Sequence, residues 1–253
     1  MARPASATQS PRPDEREGVF ETILVFEDRP VELDAHLERI AASVRALYGE
    51  DPPDSRQLVL SRARGGWLGR LRLTVEPLPR GGLDASVVVA PFDPNNVFPT
   101  GEFATELKLL RVDRGYGAHK WADRDLLSRA EAAAGPGAVP LLVGEDGAVL
   151  EASRANLFAV REGGLLTPPL DGEILPGVAR GGVLEVAAEY GFEVSERTFD
   201  LDELRGADEV FLTGSLRGVE PIRAIEGEEV PSEGPITTAL AAGLRQRWFG
   251  PWT

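Results

Sequence analysis

The run AVLEASRANLFAV, residues 148–160, decides how the second half of this chain is read. AVLEAS and NLFAVR are short, mostly apolar runs of the kind that pack as buried strands, and a tight turn has to join them. Glu151 ends the first strand, an awkward place for a carboxylate unless it has a partner or sits at a sheet edge, because uncompensated burial is costly. Upstream lie the turn Glu145-Asp146-Gly147, the strand AVPLLVG and a helix over about 122–134. Downstream come Gly163-Gly164, LLTPP, a helix over about 177–190 introduced by Pro176 and ended by Gly191, and the strands EVSERTF and EVFLTG. The hairpin-like GVEPIRAIEG and a final helix near 233–248 follow. Many short strands joined by tight turns predict a curled sheet or barrel.

The first half has a different grain. VFETILVFE alternates as a strand, Asp28-Arg29 turns the chain, and Asp34 is expected to cap a helix carrying Leu33, Leu37, Ile40, Val44 and Leu47 and stopping at Gly49. A second helix is predicted over 54–64, then strands in WLGRLRLTVEP and ASVVVAPF separated by PRGGLD. This pattern is α+β with antiparallel neighbours. DPNNVFPTGE breaks regular structure, and KLLRVDRGYGAHKW crosses to the new pattern. Residues 1–17, rich in Pro, Ser and charge, read as a disordered tail. The expected division is that tail, a small α+β domain over 18–116 and a larger barrel-like domain over 117–253.

Composition narrows the function classes. A chain of 253 residues with 42% hydrophobic content can bury a sizeable core, and no cysteine is present for disulfides, thiolate metal sites or a thiol nucleophile. The formal net charge of −14 repels nucleic acid. No apolar run is long enough for a membrane helix, and residues 1–17 lack the apolar core of a secretory signal, so a cytoplasmic protein is expected. The two histidines, His36 and His119, and the lack of a Gly-x-Ser-x-Gly elbow speak against metal and hydrolase chemistry. Lysine is used twice, at Lys108 and Lys120, while arginine supplies the other 25 basic groups. Where guanidinium is the default cation, a retained lysine points to amine chemistry.

An aldehyde cofactor needs such an amine, an acid for a ring nitrogen and a cup of N–H groups for its phosphate. Lys120 follows Gly117-Ala118-His119, a break that lets a side chain point into a cleft. The stretch LPGVARGGVL opens a helix whose free N–H groups attract a phosphate, and Gly214-Ser215 after EVFLT offers a second set of donors. Each has a plainer explanation: a solvated lysine, a strand-end acid, an ordinary helix start, a turn. Arg39, off the Leu/Ile stripe of its helix, is open as a solvated residue or a cleft cation.

In order and spacing, GVFETILV, HLERI, HKWADR, LEASRANLF, LPGVARG and FLTGSLRGVEPIR resemble the class IV aminotransferases, the fold type IV pyridoxal-phosphate enzymes, from Gly18 to about Ile225. The most specific match is Glu151 followed by Asn156-Leu157-Phe158, about thirty residues after Lys120. The resemblance implies a two-domain, D-amino acid aminotransferase-like fold with pyridoxal 5'-phosphate held in the larger domain. It makes Lys120 the Schiff-base lysine, Glu151 the partner of the pyridinium nitrogen and Arg39 a phosphate contact. Val178 and Ala179 become backbone donors at the helix start, and Gly214 with Ser215 the second phosphate loop. Thr22 and Leu216 match substrate-pocket positions, and Arg217 is the first choice for a substrate carboxylate. A homodimer is implied as well.

Three departures stand out. The Pro-rich tail replaces an additional strand pair, Ala179 stands where many members have Thr, and Asp123 stands where lyase-like members often carry Asn. HKWADR, SRANLF and GSLRGVEP most resemble aminodeoxychorismate lyases, some of which are fused behind a chorismate-aminating synthase. The implied reaction is loss of pyruvate from 4-amino-4-deoxychorismate to give 4-aminobenzoate, in folate synthesis or a related route. A branched-chain or D-amino acid aminotransferase is the alternative, and a non-catalytic binding protein of the same fold is a third.

Overall fold

The computed structural model describes residues 8–66, 68–231 and 233–250. Strand β1 (Val19–Phe26) turns through Glu27 and Asp28, both at positive φ, into the two-residue β2 (Arg29–Pro30), so the turn lies one residue earlier than expected. Asp28 fixes it by accepting the Gly65 and Gly66 N–H groups. Helix α1 (Leu33–Tyr48) starts from Glu32 in the left-handed region with no side-chain cap. Asp34 is therefore not the cap: it lies in the first turn and pairs with Arg56. Helix α2 (Arg56–Arg62) is shorter than predicted, and β3 (Gly69–Pro77) and β4 (Leu83–Pro91) complete an antiparallel sheet in the order β2-β1-β3-β4.

The two faces of that sheet follow from the period-2 alternation of strands. Val19, Ile23 and Val25 of β1 and Leu71, Leu73 and Val75 of β3 pack under Ile40 and Val44 of α1 and Val59 of α2. Each such aliphatic contributes roughly 1.5–3 kcal/mol on full burial. Phe20, Thr22, Arg70 and Arg72 take the opposite face.

The larger sheet begins at β5 (Thr105–Val112), so sheet membership changes between β4 and β5 rather than near 115–119. After α3 (Asp125–Ala134) come β6 (Ala138–Gly144), β7 (Val149–Ala152), β8 (Asn156–Arg161) and β9 (Gly164–Thr167). Helix α4 (Val178–Glu189), the short β10 (Val194–Glu196), α5 (Leu201–Arg205), β11 (Glu209–Gly214), β12 (Gly218–Ile225), β13 (Glu228–Glu229) and α6 (Pro235–Phe249) finish the fold. The order is β10-β9-β8-β11-β12-β5-β6-β7, with β13 on β12. It is the curled, mixed sheet that the short strands implied.

The continuous apolar run of β8 has a direct cause, because the strand is buried on both faces. Leu157 and Ala159 join Leu141, Leu212 and Ile222 inside the curl. Phe158 and Val160 point the other way, under Val183 of α4 and Leu240 and Leu244 of α6, and Phe158 stacks on Phe211 at 5.2 Å.

The tail departs from expectation where it is described. Residues 1–7 lie outside the described residues, but 8–17 form a strap. The Gln9 N–H donates to the Arg111 carbonyl at 2.8 Å, and Gln9 accepts from Asp113 N–H at 2.9 Å. The Asp14 N–H donates to Asp123 at 2.9 Å, and the Tyr48 hydroxyl donates to the Glu15 carbonyl at 2.8 Å. Asp123, whose role the resemblance left open, is thus a tether for this strap. Among the described residues no strand precedes β1.

Candidate active site

The segment carrying Lys120 is stitched to the start of β1: Phe20 N–H donates to the Lys120 carbonyl at 2.8 Å, and Ala122 N–H donates to Gly18 at 2.9 Å. Before it, Gly115 passes so close to the loop at Glu173 that a Cβ there would fall 1.7 Å from the Glu173 carbonyl oxygen, and only glycine permits this approach. The Lys120 ammonium ends 4.9 Å from the centre of the Phe20 ring. Burial, then Arg39, pulls its pKa down to about 8, against the opposing pull of Glu21 and Glu151. Lys108 is excluded from this chemistry, since it pairs with Glu106 on β5.

Glu151, 8% exposed near the end of β7, has no cation in contact among the described residues. Its two oxygens accept from Asn156 Nδ2 at 3.1 Å and from the Leu175 N–H at 3.2 Å. Burial therefore dominates and pushes its pKa up to about 8, only partly offset by the Leu175 N–H and by Lys120. The acid five residues before Asn-Leu-Phe is explained by this contact: Asn156 opens β8 and reaches back across the turn. Gly177 leaves room for it, because a Cβ there would meet Asn156 Oδ1 at 1.9 Å.

Every residue singled out from the sequence lines one cavity of about 460 Å³: Thr22, Arg39, Lys120, Glu151, Val178, Ala179, Gly214, Ser215, Leu216 and Arg217. The start of α4 and the turn between β11 and β12 meet there, so helix N–H groups and the Gly214-Ser215 loop share one wall. Beside them Thr213 has a buried hydroxyl with no hydrogen-bond partner among the described residues. An unionised, enclosed acid, a lysine of lowered pKa, a helix N-terminus and an unused hydroxyl form a donor set that fits pyridoxal phosphate. Residues 120, 151, 178–179 and 214–215 could hold it.

Arg39 reaches the cavity already engaged. Its Nε and Nη2 donate to Glu21 at 2.7 and 2.6 Å, and its Nη1 donates to the Pro176 carbonyl, just before α4, at 3.0 Å. His36 Nδ1 lies 2.7 Å from Glu21 Oε2, the oxygen that also accepts from Arg39 Nη2. Burial alone would raise Glu21, but the Arg39 guanidinium and then His36 overturn it and hold the carboxyl at about 2. Burial lowers His36, leaving the neutral ring to donate to that carboxylate. Glu21 and His36 were missed, although Glu21 shares the apolar face of β1 with Val19 and Ile23, where a carboxylate needs a partner.

Charge is unevenly distributed around the cavity. Six arginines, at 39, 70, 72, 124, 154 and 217, and Lys120 line it against Asp123, Glu131, Glu151 and Glu220. Arg124 pairs with Glu131 at 2.7 Å. Among the described residues Arg70 and Arg72 form no ion pair, and Arg72 lies 3.8 Å over the Phe20 ring.

Residues 18–225 match the family model described as amino-transferase class IV. A branched-chain-amino-acid aminotransferase of Salmonella typhimurium is 30% identical over 208 residues, 74% of this chain; the chain spans 62% of that relative's length. A hypothetical aminotransferase from Mycobacterium tuberculosis, solved with α-ketoglutarate and PMP, is 26% identical with a TM-score of 0.78, covering 92% of this chain and 89% of that one. A Legionella pneumophila protein named as a candidate 4-amino-4-deoxychorismate lyase shares the fold, with a TM-score of 0.79 at 22% identity over 96% of each chain. No helix among the described residues is long and apolar enough to cross a membrane. With the matched residues spanning both sheets and the whole cavity, the chain belongs to the class IV aminotransferases, a family of pyridoxal-phosphate enzymes.

Proposed function

We propose that this chain is a pyridoxal-phosphate-dependent lyase that eliminates pyruvate from 4-amino-4-deoxychorismate to give 4-aminobenzoate. The observation that carries the reading is the arginine-rich cavity in a chain whose formal net charge is −14. A cofactor phosphate takes up part of that local excess, and a substrate with two carboxylates takes up the rest. A branched-chain side chain would leave the same guanidiniums facing hydrocarbon.

When bound, the cofactor supplies an aldehyde that condenses with amines and a ring that draws electrons from the carbon next to nitrogen. Lys120 would anchor it, and its lowered pKa leaves a useful fraction of free amine near neutrality to take the proton from that carbon. The same nitrogen would return a proton to the enolpyruvyl group as it leaves. Glu151 keeps a proton at the ring nitrogen. Arg39, the N–H groups at Val178 and Ala179, and Gly214 with Ser215 grip the phosphate. Thr22 and Leu216 border the substrate, and Arg217 receives a carboxylate. A cytoplasmic homodimer supplied by a chorismate-aminating synthase belongs to the same proposal.

Transamination is the second reading, favoured by the relatives named branched-chain aminotransferases and by the α-ketoglutarate on the M. tuberculosis protein. The test supplies purified, cofactor-loaded protein with aminodeoxychorismate alone, then with an amino donor and 2-oxoglutarate. 4-Aminobenzoate and pyruvate formed without a keto acid support the lyase, whereas glutamate formed from an amino donor supports transamination. Both readings fail if Lys120→Ala keeps its activity.

A further inference from the structure

Glu220 of β12 is 1% exposed and forms part of the cavity wall, where a lone carboxylate would be costly. It is not alone. The Thr105 hydroxyl and Arg154 Nη2 both donate to Oε1, at 2.6 and 2.9 Å, and Arg217 Nε lies 2.9 Å from Oε2. The two arginines come from separate turns. Arg154 sits in the β7–β8 turn between Glu151 and Asn156, and Arg217 follows the Gly214-Ser215 loop.

One carboxylate between two guanidiniums leaves a net positive charge, and each guanidinium has five N–H donors. Arg217 Nε faces Glu220 as an ion pair without a hydrogen-bond alignment, and its Nη1 donates to Asn96. Arg154 gives Nη2 to Glu220, and among the described residues neither arginine pairs with a second carboxylate. Both line the cavity that holds Lys120. A fixed pair of planar cations with unused donors suits a carboxylate, which accepts two parallel N–H bonds.

We propose that Arg154 and Arg217 together form a carboxylate-receiving subsite, and that Glu220 is the positioning residue that sets the two guanidiniums side by side, so that the cavity selects substrates with a carboxylate remote from the reacting carbon. This rests on the cavity being the substrate site of the proposed function. Glu220 does not touch substrate. It neutralises one of the two charges and fixes the direction of both arginines from behind, with Thr105 and Asn96 completing the brace.

The experiment titrates cofactor-loaded protein by calorimetry with 2-oxoglutarate and with 2-oxobutanoate, which lacks only the distal carboxylate. The wild-type chain is expected to bind 2-oxoglutarate at least tenfold more tightly, a gap of about 1.4 kcal/mol. Arg154→Met and Arg217→Met should each bring that ratio to within about threefold of one, with 2-oxoglutarate affinity falling much more than 2-oxobutanoate affinity. Glu220→Gln should lower the ratio in the same way, and Glu220→Asp should recover part of it; a merely structural role would weaken both acids alike. Arg154 is a third exposed, so its variant keeps the test decisive if Glu220→Gln does not fold. Equal wild-type affinities, or a ratio that survives both arginine substitutions, overturn the subsite. Discrimination without 4-aminobenzoate production keeps the subsite and removes the lyase reading, and 4-aminobenzoate production with an unmoved ratio does the reverse.

Discussion

Glu21 and Glu151 are both enclosed, 1% and 8% exposed, yet the chain surrounds them in opposite ways. Around Glu21 it places a guanidinium and an imidazole, and the carboxyl is held at about 2. Among the described residues Glu151 accepts hydrogen bonds only from an amide side chain and a backbone N–H, and the carboxyl is pushed to about 8. The first acid is electrically complete and ties α1 to the sheet. The second is geometrically held but electrically incomplete, which is the condition of a group that waits for a cationic partner to arrive. Completeness of charge therefore separates the carboxylate that builds the fold from the one proposed to serve the reaction.

The contrast can be broken from either side. Glu21→Gln leaves Arg39 without its buried counter-charge and is expected to cost about 3–5 kcal/mol in urea unfolding, with cofactor-free and cofactor-loaded protein both weakened. Glu151→Gln is expected to leave urea stability at neutral pH intact or improved, while turnover by the loaded protein falls roughly 10²- to 10³-fold. If the two substitutions shift stability by the same amount, the distinction is lost.

A smaller effect sharpens it through pH. Glu151 titrates near 8 in the fold against 4.5 for a free carboxyl, so the folded chain binds its proton more tightly between those values. Stability of the cofactor-free protein from this group is full below about 4.5 and declines as pH rises to about 8. Glu21 works in the other direction: its contribution is full above about 4.5 and is lost as pH falls through about 2. Thermal melts across pH 2–9 should show the alkaline limb flattened in Glu151→Gln and the acid limb flattened in Glu21→Gln.

Much of the cavity could be read in the sequence because its parts recur at fixed spacing along the chain. Glu151 and Asn156 are joined across one tight turn, and the glycines at 177 and 214 mark a helix start and a strand end. Those are local relations, and local relations survive in one dimension. Glu220 was hidden because its partners, Thr105, Arg154 and Arg217, come from three separate segments. His36 was hidden for a different reason: it falls on the buried side of α1 with Ile40 and Val44, where a histidine reads as ordinary core. The strap at 8–17 was misread because a Pro- and charge-rich run has no periodicity of its own. Its order comes from hydrogen bonds to residues 111–123. Strand β5 was not read at all, only a stretch that crosses to a new pattern, since parallel pairing with β6 and β12 has no local turn to announce it.

That strap also sets an order of assembly. Residues 9–14 leave the ribosome before the groups they bind, since the Arg111 and Asp113 backbone and the Asp123 side chain are made about a hundred residues later. The earlier-made segment must therefore wait, and closing so long a loop becomes worthwhile only after its docking surface has formed. The loop leading to Lys120 is fastened on this side by an earlier-made stretch, acting last. A chain in which residues 8–17 are held away from that surface would complete this final fastening slowly, with the rest of both sheets already in place.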